Sequence, residues 1–392
     1  MNDSLTPAQI AEHLVLPYLN HAVRMYESGY ASRTDIDAGM RFGCGYPAGP
    51  LATVDERGVG AVRDALLDRY AATGDHLHQP ADLLERLAAD GSTLSEDSSG
   101  AAPAEPELRH EIGRVGVVGT GTMASGIAQV FAQSGYDVVC VGRSDDKVAG
   151  VAAAIGKALG RAVERGRLDE AGKAEVLRRI TGSTSREDLA DVDLVVEAIA
   201  EDLAVKIELF NDLDRICRPG TILATTTSSL PITECGKATE RPEWVIGMHF
   251  FNPAPVMKLV EVVTTELTSP EVDETVRALC AKVGKVAVSC CDRAGFIVNA
   301  LLFPYLNDAV RLHESGVPIE TIDEAVTEHL GFPMGPFALL DVVGNDVSLA
   351  IQKELYHEFE EPGFEPAALL EQVVAEGRLG RKTGRGFHDY AR

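Results

Sequence analysis

The pattern of apolar and polar positions divides the chain into stretches of different character. Residues 1–90 and 293–392 carry apolar side chains at helical spacing, with Gly-Pro pairs between the segments. Residues 112–292 instead alternate short β-branched runs with segments of helical spacing. Such alternation is typical of a parallel sheet covered by helices. We therefore predict an α/β domain with an all-α domain on each side of it in the sequence.

The elements of the central stretch follow from this periodicity. Ser269 followed by Pro270 is the pattern of a helix N-cap with proline at the first helical position. Residues 91–111 are rich in Ser, Ala, Pro and Glu without apolar periodicity, which predicts a flexible linker. The predicted strands are 115–118, 138–141, 194–197, 221–225, 244–251 and 258–264, and the predicted helices are 127–133, 147–164, 169–178, 207–217 and 270–283.

A glycine-rich turn stands between the first of these strands and its helix. Gly119, Gly121 and Ala124 form the pattern G-x-G-x-x-A. This pattern permits a tight turn, lets the backbone approach a pyrophosphate and keeps the helix close to the strand. It predicts a Rossmann-type dinucleotide site at the helix N-terminus, the alternative being an ordinary strand-to-helix turn. The predicted cofactor-binding residues here are Gly119, Gly121, Thr122, Met123 and Ala124.

The end of the second strand bears on which dinucleotide binds. NAD-binding folds usually place Asp or Glu there to hold the ribose hydroxyls, whereas this chain has Gly142-Arg143-Ser144. A small residue followed by Arg suits a ribose 2′-phosphate, because a guanidinium donates a charge-assisted fork of hydrogen bonds to phosphate. We predict NADP(H) in preference to NAD(H), with Arg143 as the phosphate ligand. The alternative is that Asp145 or Asp146 binds the ribose hydroxyls, which would suit NAD(H).

Charge and hydropathy exclude two classes of partner. The chain has 392 residues, with 60 acidic against 36 basic side chains and a formal net charge of −24. Such an acidic balance argues against a nucleic-acid partner. Residues 115–136 carry no charge, but five glycines interrupt them, so we predict no membrane span.

The cysteines and the start of the chain indicate a compartment. Seven cysteines are scattered without a C-x-x-C pair, and no cluster has metal-ligand spacing, so we predict no metal. Residues 1–4 lack the cationic and apolar segments of an export signal. Free thiols are typical of a reducing environment. These features predict a cytoplasmic protein.

The chain also contains an internal repeat. Residues 17–29 and 304–316 are identical at ten of 13 positions. Residues 45–50 match 331–336 in the same order. Residues 1–90 and 293–392 are therefore predicted to be two copies of one helical module.

Two polar side chains in the last two predicted strands are candidates for catalysis. His249 lies at one strand end, and Glu261 lies on the next strand. A carboxylate paired with an imidazole holds its tautomer and stabilises the protonated ring, so such a pair can move a hydroxyl proton. The alternative is a satisfied core histidine and an edge glutamate. Ser228 follows the strand that ends at Thr225, either at the ligand crevice or as a helix cap.

Several motifs give a specific resemblance. Residues 247–262 read Gly-Met-His-Phe-Phe-Asn-Pro-Ala-Pro-Val-Met-Lys-Leu-Val-Glu-Val. The chain resembles the L-3-hydroxyacyl-CoA dehydrogenases, in particular the bacterial 3-hydroxybutyryl-CoA dehydrogenases, over residues 112–392. The other motifs that carry the resemblance are 119–128, 195–206, 227–230, 295–299, 331–337 and 380–387.

The resemblance implies an activity and residue roles. The activity is interconversion of (S)-3-hydroxyacyl-CoA and 3-oxoacyl-CoA, expected for short acyl chains in fatty acid metabolism. His249 is implied as the general base in oxidation and the general acid in reduction, and Glu261 as the residue that orients it. Ser228 and Asn299 are implied to hydrogen-bond the reacting oxygen. Glu201 and Lys206 are implied to lie near the cofactor.

The chain departs from the family pattern at three places. Gly142-Arg143 replaces the ribose acid, and Thr226 stands where the family usually has Asn. The N-terminal copy of the helical module is additional, and alignment of the copies places Glu12 at the position of Asn299. Because the C-terminal domains of this family form its dimer interface, residues 1–90 are expected either to pack on 293–392 as an internal pseudo-dimer or to extend a homodimer.

Two other functions stay open on sequence alone. One is a related hydroxy-acid dehydrogenase of the gulonate type, which does not use a CoA thioester. The other is a catalytically silent protein, of the kind that lens crystallins show this fold can become. The joint presence of Ser228, His249, Glu261 and Asn299 argues against silence. Acyl chain length, physiological direction and pathway do not follow from the sequence.

Overall fold

The computed structural model describes residues 5–97 and 105–390, which form two compact units. One unit contains 5–97 together with 294–390, and the other contains 105–293. The helices are α1 (Pro7–Glu27), α2 (Arg33–Cys44), α3 (Pro50–Arg57), α4 (Val59–Thr73), α5 (Asp82–Asp90), α6 (Thr122–Gln133), α7 (Asp145–Glu164), α8 (Glu170–Arg178), α9 (Leu203–Ile216), α10 (Ile232–Lys237), α11 (Pro270–Lys282), α12 (Val298–Glu314), α13 (Ile319–His329), α14 (Pro336–Val343), α15 (Asn345–Phe359) and α16 (Ala368–Ala375). The strands are β1 (Arg114–Val118), β2 (Asp137–Val141), β3 (Ile180–Ser183), β4 (Leu194–Glu197), β5 (Ile222–Thr225), β6 (Val245–Phe250), β7 (Leu259–Thr264) and β8 (Val286–Cys291).

The unit of residues 105–293 is a doubly wound α/β domain. Its eight strands lie in the order β3-β2-β1-β4-β5-β6-β7-β8. All neighbours are parallel except β6 and β7, which are antiparallel. The strand order reverses between β1 and β4, and in such sheets ligands bind in the crevice beyond the carboxyl ends at that point. The predicted α/β fold is confirmed.

Short β-branched strands in the middle of the sheet account for its core. All four residues of β4 and of β5 are buried, as a strand covered by helices on both faces requires. Val115, Val117 and Val196 are fully buried beneath α6, whose Phe131 is fully buried as well. The central strands are therefore formed by apolar runs that lack alternating polar residues.

The sequence prediction missed three elements of this unit, namely β3, β8 and α10. Strand β8 alternates buried with partly exposed positions, because it lies at the edge of the sheet, and so lacks the apolar run by which the inner strands are found. Helix α10 has only six residues, too few for a clear helical period. Helix α9 begins at Leu203, earlier than predicted, because the Asp202 side chain caps it by accepting a hydrogen bond from the Val205 N–H.

The residues predicted as a linker divide between the two units. Leu94 is fully buried in the helical unit, and its N–H donates to Asp55 at 2.7 Å. Arg109 belongs to the α/β unit, where its guanidinium donates to both carboxylate oxygens of Glu274, at 2.7 and 3.1 Å. Residues 98–104 lie outside the described residues, as do residues 1–4, on which the prediction of no export signal rests.

The other unit contains the two copies of the helical module. Helices α1 to α5 correspond in order to α12 to α16. Equivalent side chains make equivalent contacts: Asn20 Nδ2 donates to the Gln79 carbonyl at 2.8 Å, and Asn307 Nδ2 donates to the Glu365 carbonyl at 2.9 Å. The copies therefore share an internal framework as well as a sequence pattern.

The two copies pack on each other through equivalent residues. The rings of Tyr18 and Tyr305, which occupy the same place in the repeat, lie 6.1 Å apart, edge to face. Tyr46 and Phe332 are also equivalent, and their rings stack with centroids 3.6 Å apart. Residues that meet their own counterparts lie on a local two-fold axis, so this is the geometry of a self-complementary dimer interface within one chain.

Two further observations concern the compartment. Cys140, Cys217, Cys235 and Cys280 are buried and form no disulfide. Burial raises the pKa of the Cys140, Cys235 and Cys280 thiols to about 12, which leaves them unreactive. Within the described ranges no helix combines the length and the apolar character needed to cross a membrane.

Candidate active site

A groove of about 1360 Å³ opens at the carboxyl ends of β1, β2 and β4. The glycine-rich turn forms its floor, and of the residues predicted there Gly119, Gly121 and Thr122 line it. Gly119 has φ of 135°, and a Cβ on it would lie 2.3 Å from the Ala198 carbonyl oxygen, so only glycine fits. A Cβ on Gly121 would meet no atom within 4 Å. The backbone is thus open to close approach by a ligand, and the turn fits a dinucleotide pyrophosphate.

Met123 and Ala124 support the turn from behind. Ala124 is fully buried, and its Cβ stands 3.2 Å from the Cβ position of Gly119, which brings α6 close to β1. Met123 is half-buried and packs on the core of the domain. Neither side chain lines the groove, and both residues shape the turn from behind.

One wall of the groove carries basic side chains. Arg143, at the end of β2, and Lys147 and Arg161, on α7, line it. Arg186 lines it too but is paired with Asp212. In the described part of the chain none of the first three forms an ion pair, although the protein has an excess of acidic residues. The wall therefore presents unneutralised positive charge to whatever fills the groove.

The loop that follows β6 forms the opposite side of the groove. Asn252, Pro253, Ala254 and Pro255 line it. Lys285, which the sequence analysis did not single out, holds this loop: its Nζ donates to the carbonyls of Ala254 at 2.5 Å and Met257 at 2.7 Å. Burial lowers the pKa of Lys285. A lysine just before an edge strand gives no sequence signal for such a role.

The antiparallel register of β6 and β7 brings the two catalytic candidates together. His249 and Glu261 are directly opposite each other, and His249 Nδ1 lies 2.6 Å from Glu261 Oε2. Glu261 is fully buried, and His249 is 7% exposed. A buried carboxylate accepts the Nδ1 proton and so leaves the Nε2 lone pair of a neutral ring available.

Ser228 completes a line of three side chains. It lies beyond the end of β5, with Oγ 3.1 Å from His249 Nε2. The ring is therefore contacted at both nitrogens, by Glu261 on one side and Ser228 on the other. This arrangement can take a proton from a hydroxyl group at Nε2 and hold the resulting positive charge against the buried carboxylate.

Glu201 and Lys206 hold the segment that carries Ser228. Glu201 Oε1 accepts hydrogen bonds from the Ser228 N–H at 2.9 Å and from the Thr227 hydroxyl. Lys206 is 1% exposed, and its Nζ lies 2.7 Å from Glu197 and 3.3 Å from Glu201. Neither side chain lines the groove. Glu197 was missed, although a glutamate that ends the apolar run Leu194–Glu197 is an unusual residue in a buried strand.

Asn299 lies in the helical unit, in the first turn of α12, and is 8% exposed. Its counterpart in the other copy, Glu12, forms a surface ion pair with Arg57 at 2.5 Å. The N-terminal copy has therefore replaced a buried amide by a solvent-exposed charge.

A doubly wound sheet, a glycine turn at its switch point and a buried carboxylate–imidazole pair define a dinucleotide-dependent dehydrogenase. Residues 114–293 match the family model described as 3-hydroxyacyl-CoA dehydrogenase, NAD binding domain. Residues 10–102 and 295–390 both match the one described as 3-hydroxyacyl-CoA dehydrogenase, C-terminal domain. The chain belongs to the 3-hydroxyacyl-CoA dehydrogenase family. The resemblance and the duplicated domain are confirmed.

Individual relatives agree with this assignment. The 3-hydroxybutyryl-CoA dehydrogenase of Clostridioides difficile is 45% identical over 278 residues, covering 71% of this chain and 99% of that protein. The mitochondrial hydroxyacyl-coenzyme A dehydrogenase of Mus musculus is 44% identical over 288 residues, covering 71% and 91%. The solved structure of the (S)-3-hydroxybutyryl-CoA dehydrogenase of Ralstonia eutropha matches with a TM-score of 0.70 and 42% identity. The match covers 72% of this chain and 100% of that one.

These relatives settle the class of the protein. It is an oxidoreductase with an NAD-binding domain. They do not favour the gulonate-type or the silent alternative. The preference for NADP(H) over NAD(H), predicted from Gly142-Arg143, stays a prediction.

Proposed function

We propose that this protein interconverts (S)-3-hydroxyacyl-CoA and 3-oxoacyl-CoA, with 3-hydroxybutyryl-CoA as the expected substrate. The contact of His249 with both Ser228 and Glu261 carries the proposal, because oxidation of a hydroxyl needs a base at that oxygen. The names of the relatives support the CoA thioester and the short acyl chain. We place the enzyme in a reducing compartment, the cytoplasm, because the four buried cysteines named above form no disulfide.

The residues divide the work of the reaction. When bound, the nicotinamide supplies the acceptor or donor of the hydride at C3. In oxidation His249 Nε2 takes the hydroxyl proton, and Glu261 stabilises the imidazolium that results. In reduction the same nitrogen returns the proton. Ser228 hydrogen-bonds the reacting oxygen beside His249. We propose the same role for Asn299 on the family resemblance alone.

We propose NADP(H) as the preferred cofactor. Arg143 lines the groove and forms no ion pair with the residues that the structure describes, as a ligand of a ribose 2′-phosphate should. A Cβ on Gly142 would lie 2.5 Å from Thr120 Cγ2 and 2.8 Å from Val148 Cγ2. An acidic residue at this position, as NAD-specific folds have, would therefore require those side chains to move.

The experiment that tests this proposal compares two cofactors and one variant. Acetoacetyl-CoA reduction is measured with NADPH and with NADH in the unchanged enzyme and in Arg143→Ala. We expect faster turnover with NADPH, and a loss of kcat/KM for NADPH of about tenfold to a hundredfold in the variant, because a charge-assisted fork to phosphate is lost. The value for NADH should change less than about threefold.

The control is Arg215→Ala, which removes an exposed arginine of the same domain outside the groove. It should leave both rates unchanged. If kcat/KM falls equally with NADPH and NADH in Arg143→Ala, Arg143 does not act as a ligand of the ribose 2′-phosphate. Turnover of free hydroxy acids but not of acetoacetyl-CoA would overturn the proposed substrate.

We also propose that the chain works as a monomer. The two helical copies already pair through equivalent residues, Tyr18 with Tyr305 and Tyr46 with Phe332, so the surface that a homodimer would use is covered within one chain. Light scattering should give the mass of one chain, 41.9 kDa, at micromolar and at higher concentration. A mass twice that value, independent of dilution, contradicts the proposal and favours an extended homodimer.

A further inference from the structure

A buried ion pair stands beside the catalytic residues without contacting them. Glu197, the last residue of β4, is fully buried, and both of its carboxylate oxygens accept from Lys206 Nζ, at 2.7 and 2.9 Å. The same carboxylate accepts from the Ile199 N–H at 2.8 Å and from the Thr225 hydroxyl at 2.6 Å. Four donated hydrogen bonds leave it fully satisfied.

The ammonium group of Lys206 connects this carboxylate to a second one. Its Nζ lies 3.3 Å from Glu201, so its contacts extend over both glutamates. Two of its three donors bind Glu197, and the contact with Glu201 is an ion pair. At 1% exposure Lys206 is therefore enclosed by the two carboxylates.

The two glutamates hold the Ser228 segment at separate points. Glu197 binds the Thr225 hydroxyl where β5 ends. Glu201 binds the Thr227 hydroxyl and the Ser228 N–H further along. Beyond the end of β5 the segment keeps one backbone hydrogen bond of the strand pattern, from the Thr226 N–H to the Glu197 carbonyl at 3.0 Å. Thr227 and Ser228 are then held by Glu201, so the position of Ser228 relative to His249 depends on this carboxylate as well as on the sheet.

Stability alone gives no reason for this arrangement. Taking two charges out of water costs free energy that their attraction seldom exceeds, so an apolar pair of the same size would hold the sheet and α9 together at least as well. What an apolar pair lacks is a fixed hydrogen-bond direction. The location, at the carboxyl ends of two central strands beside Ser228, is where a fixed direction matters for the reaction.

We propose that Glu197 and Lys206 are positioning residues for the dehydrogenase reaction: they fix Thr225 and Glu201, and thereby hold Ser228 Oγ at hydrogen-bond distance from His249 Nε2. They act through Glu201 and Ser228 and do not themselves touch substrate or cofactor. The turnover part of this inference rests on the proposed function. A displaced Ser228 lowers the rate of the chemical step more than it weakens binding of acyl-CoA or cofactor.

The test separates this role from a structural one with two variants. Glu197→Gln leaves the ammonium group against a neutral amide. Glu197→Gln with Lys206→Gln removes both charges and keeps polar groups of similar size. We expect kcat for acetoacetyl-CoA reduction to fall by about tenfold to a hundredfold in both, with KM changed less than about threefold. The midpoint of thermal unfolding should fall in the single variant and recover in the double variant, where no buried charge is unpaired.

The recovery of stability without recovery of kcat is the result that supports the proposal. If kcat returns together with the unfolding midpoint, the pair is structural only and the proposal is overturned. Thr225→Val is the second variant, should the others fail to fold: it removes one hydroxyl with little change of shape. It should lower kcat by about threefold to tenfold at constant KM, and an unchanged kcat overturns the proposal.

A control and a second readout complete the design. Asp214→Asn breaks the ion pair between Asp214 and Arg241, whose two side chains are each 13% exposed. Arg241 precedes β6, so the pair lies towards the amino end of that strand. This variant should lower the unfolding midpoint without changing kcat. The side-chain NMR resonances of His249, assigned through His249→Gln, should shift in Glu197→Gln and not in the control. This NMR readout needs no substrate. An enzyme that is inactive on acetoacetyl-CoA would count against the proposed function, and the His249 shifts would still test the positioning role.

Discussion

The His249→Gln variant should lose turnover of acetoacetyl-CoA by about a thousandfold or more. Glutamine has no group that exchanges a proton near neutral pH, whereas His249 Nε2 lies beside Ser228 and the ring is backed by the buried carboxylate of Glu261. The measurement is kcat and kcat/KM in the reduction direction. Cofactor binding, followed by the fluorescence of the reduced nicotinamide, should change little, because His249 does not line the cofactor groove.

His110→Gln is the matched control, since His110 is a histidine of the same domain that packs on Trp244 and has no place at the reaction. It should keep the rate of the unchanged enzyme. If His249→Gln retains activity within about tenfold, another group moves the proton and the assignment of the base is wrong.

The Glu261→Gln variant should lower kcat by about a hundredfold to a thousandfold. An amide in this position can donate to Nδ1, which would favour the ring tautomer with its proton on Nε2 and block that nitrogen as a base. It also lacks the negative charge that stabilises the imidazolium. The effect should fall on kcat with KM for acyl-CoA nearly unchanged, because Glu261 is fully buried behind the ring.

A matched control isolates the effect of Glu261. Glu266→Gln, an exposed glutamate just beyond the end of β7, should leave kcat unchanged. A Glu261→Gln enzyme with the kcat of the unchanged enzyme would show that the pair in the structure does not act in proton transfer.

Much of the fold was predictable because its signals are local. Gly119 and Gly121 follow a β-branched run and precede a helical period, so strand, turn and helix were each indicated by neighbouring residues. The edge strand β8 was not, because its exposed positions remove the apolar run. The duplicated module was visible as a repeat, and the family matches confirm it.

The candidate site was predictable only in its parts. The sequence singled out His249 and Glu261, but twelve intervening residues set no distance between them. The register of β6 against β7 places them directly opposite each other, with 2.6 Å between Nδ1 and Oε2. Ser228 comes from a third strand end, and its contact with His249 depends on the order of the strands in the sheet.

The sequence by itself determined the family, the dinucleotide-binding fold, the repeat and the identity of the chemical groups, since each of these lies in the spacing of nearby residues. The tertiary structure alone decided which groups meet. It showed that Lys206 is enclosed between Glu197 and Glu201 and that the two copies stack Tyr46 on Phe332. The physical reason is that periodicity records which face of an element is buried, whereas contacts between elements depend on strand order, register and packing that no single segment encodes.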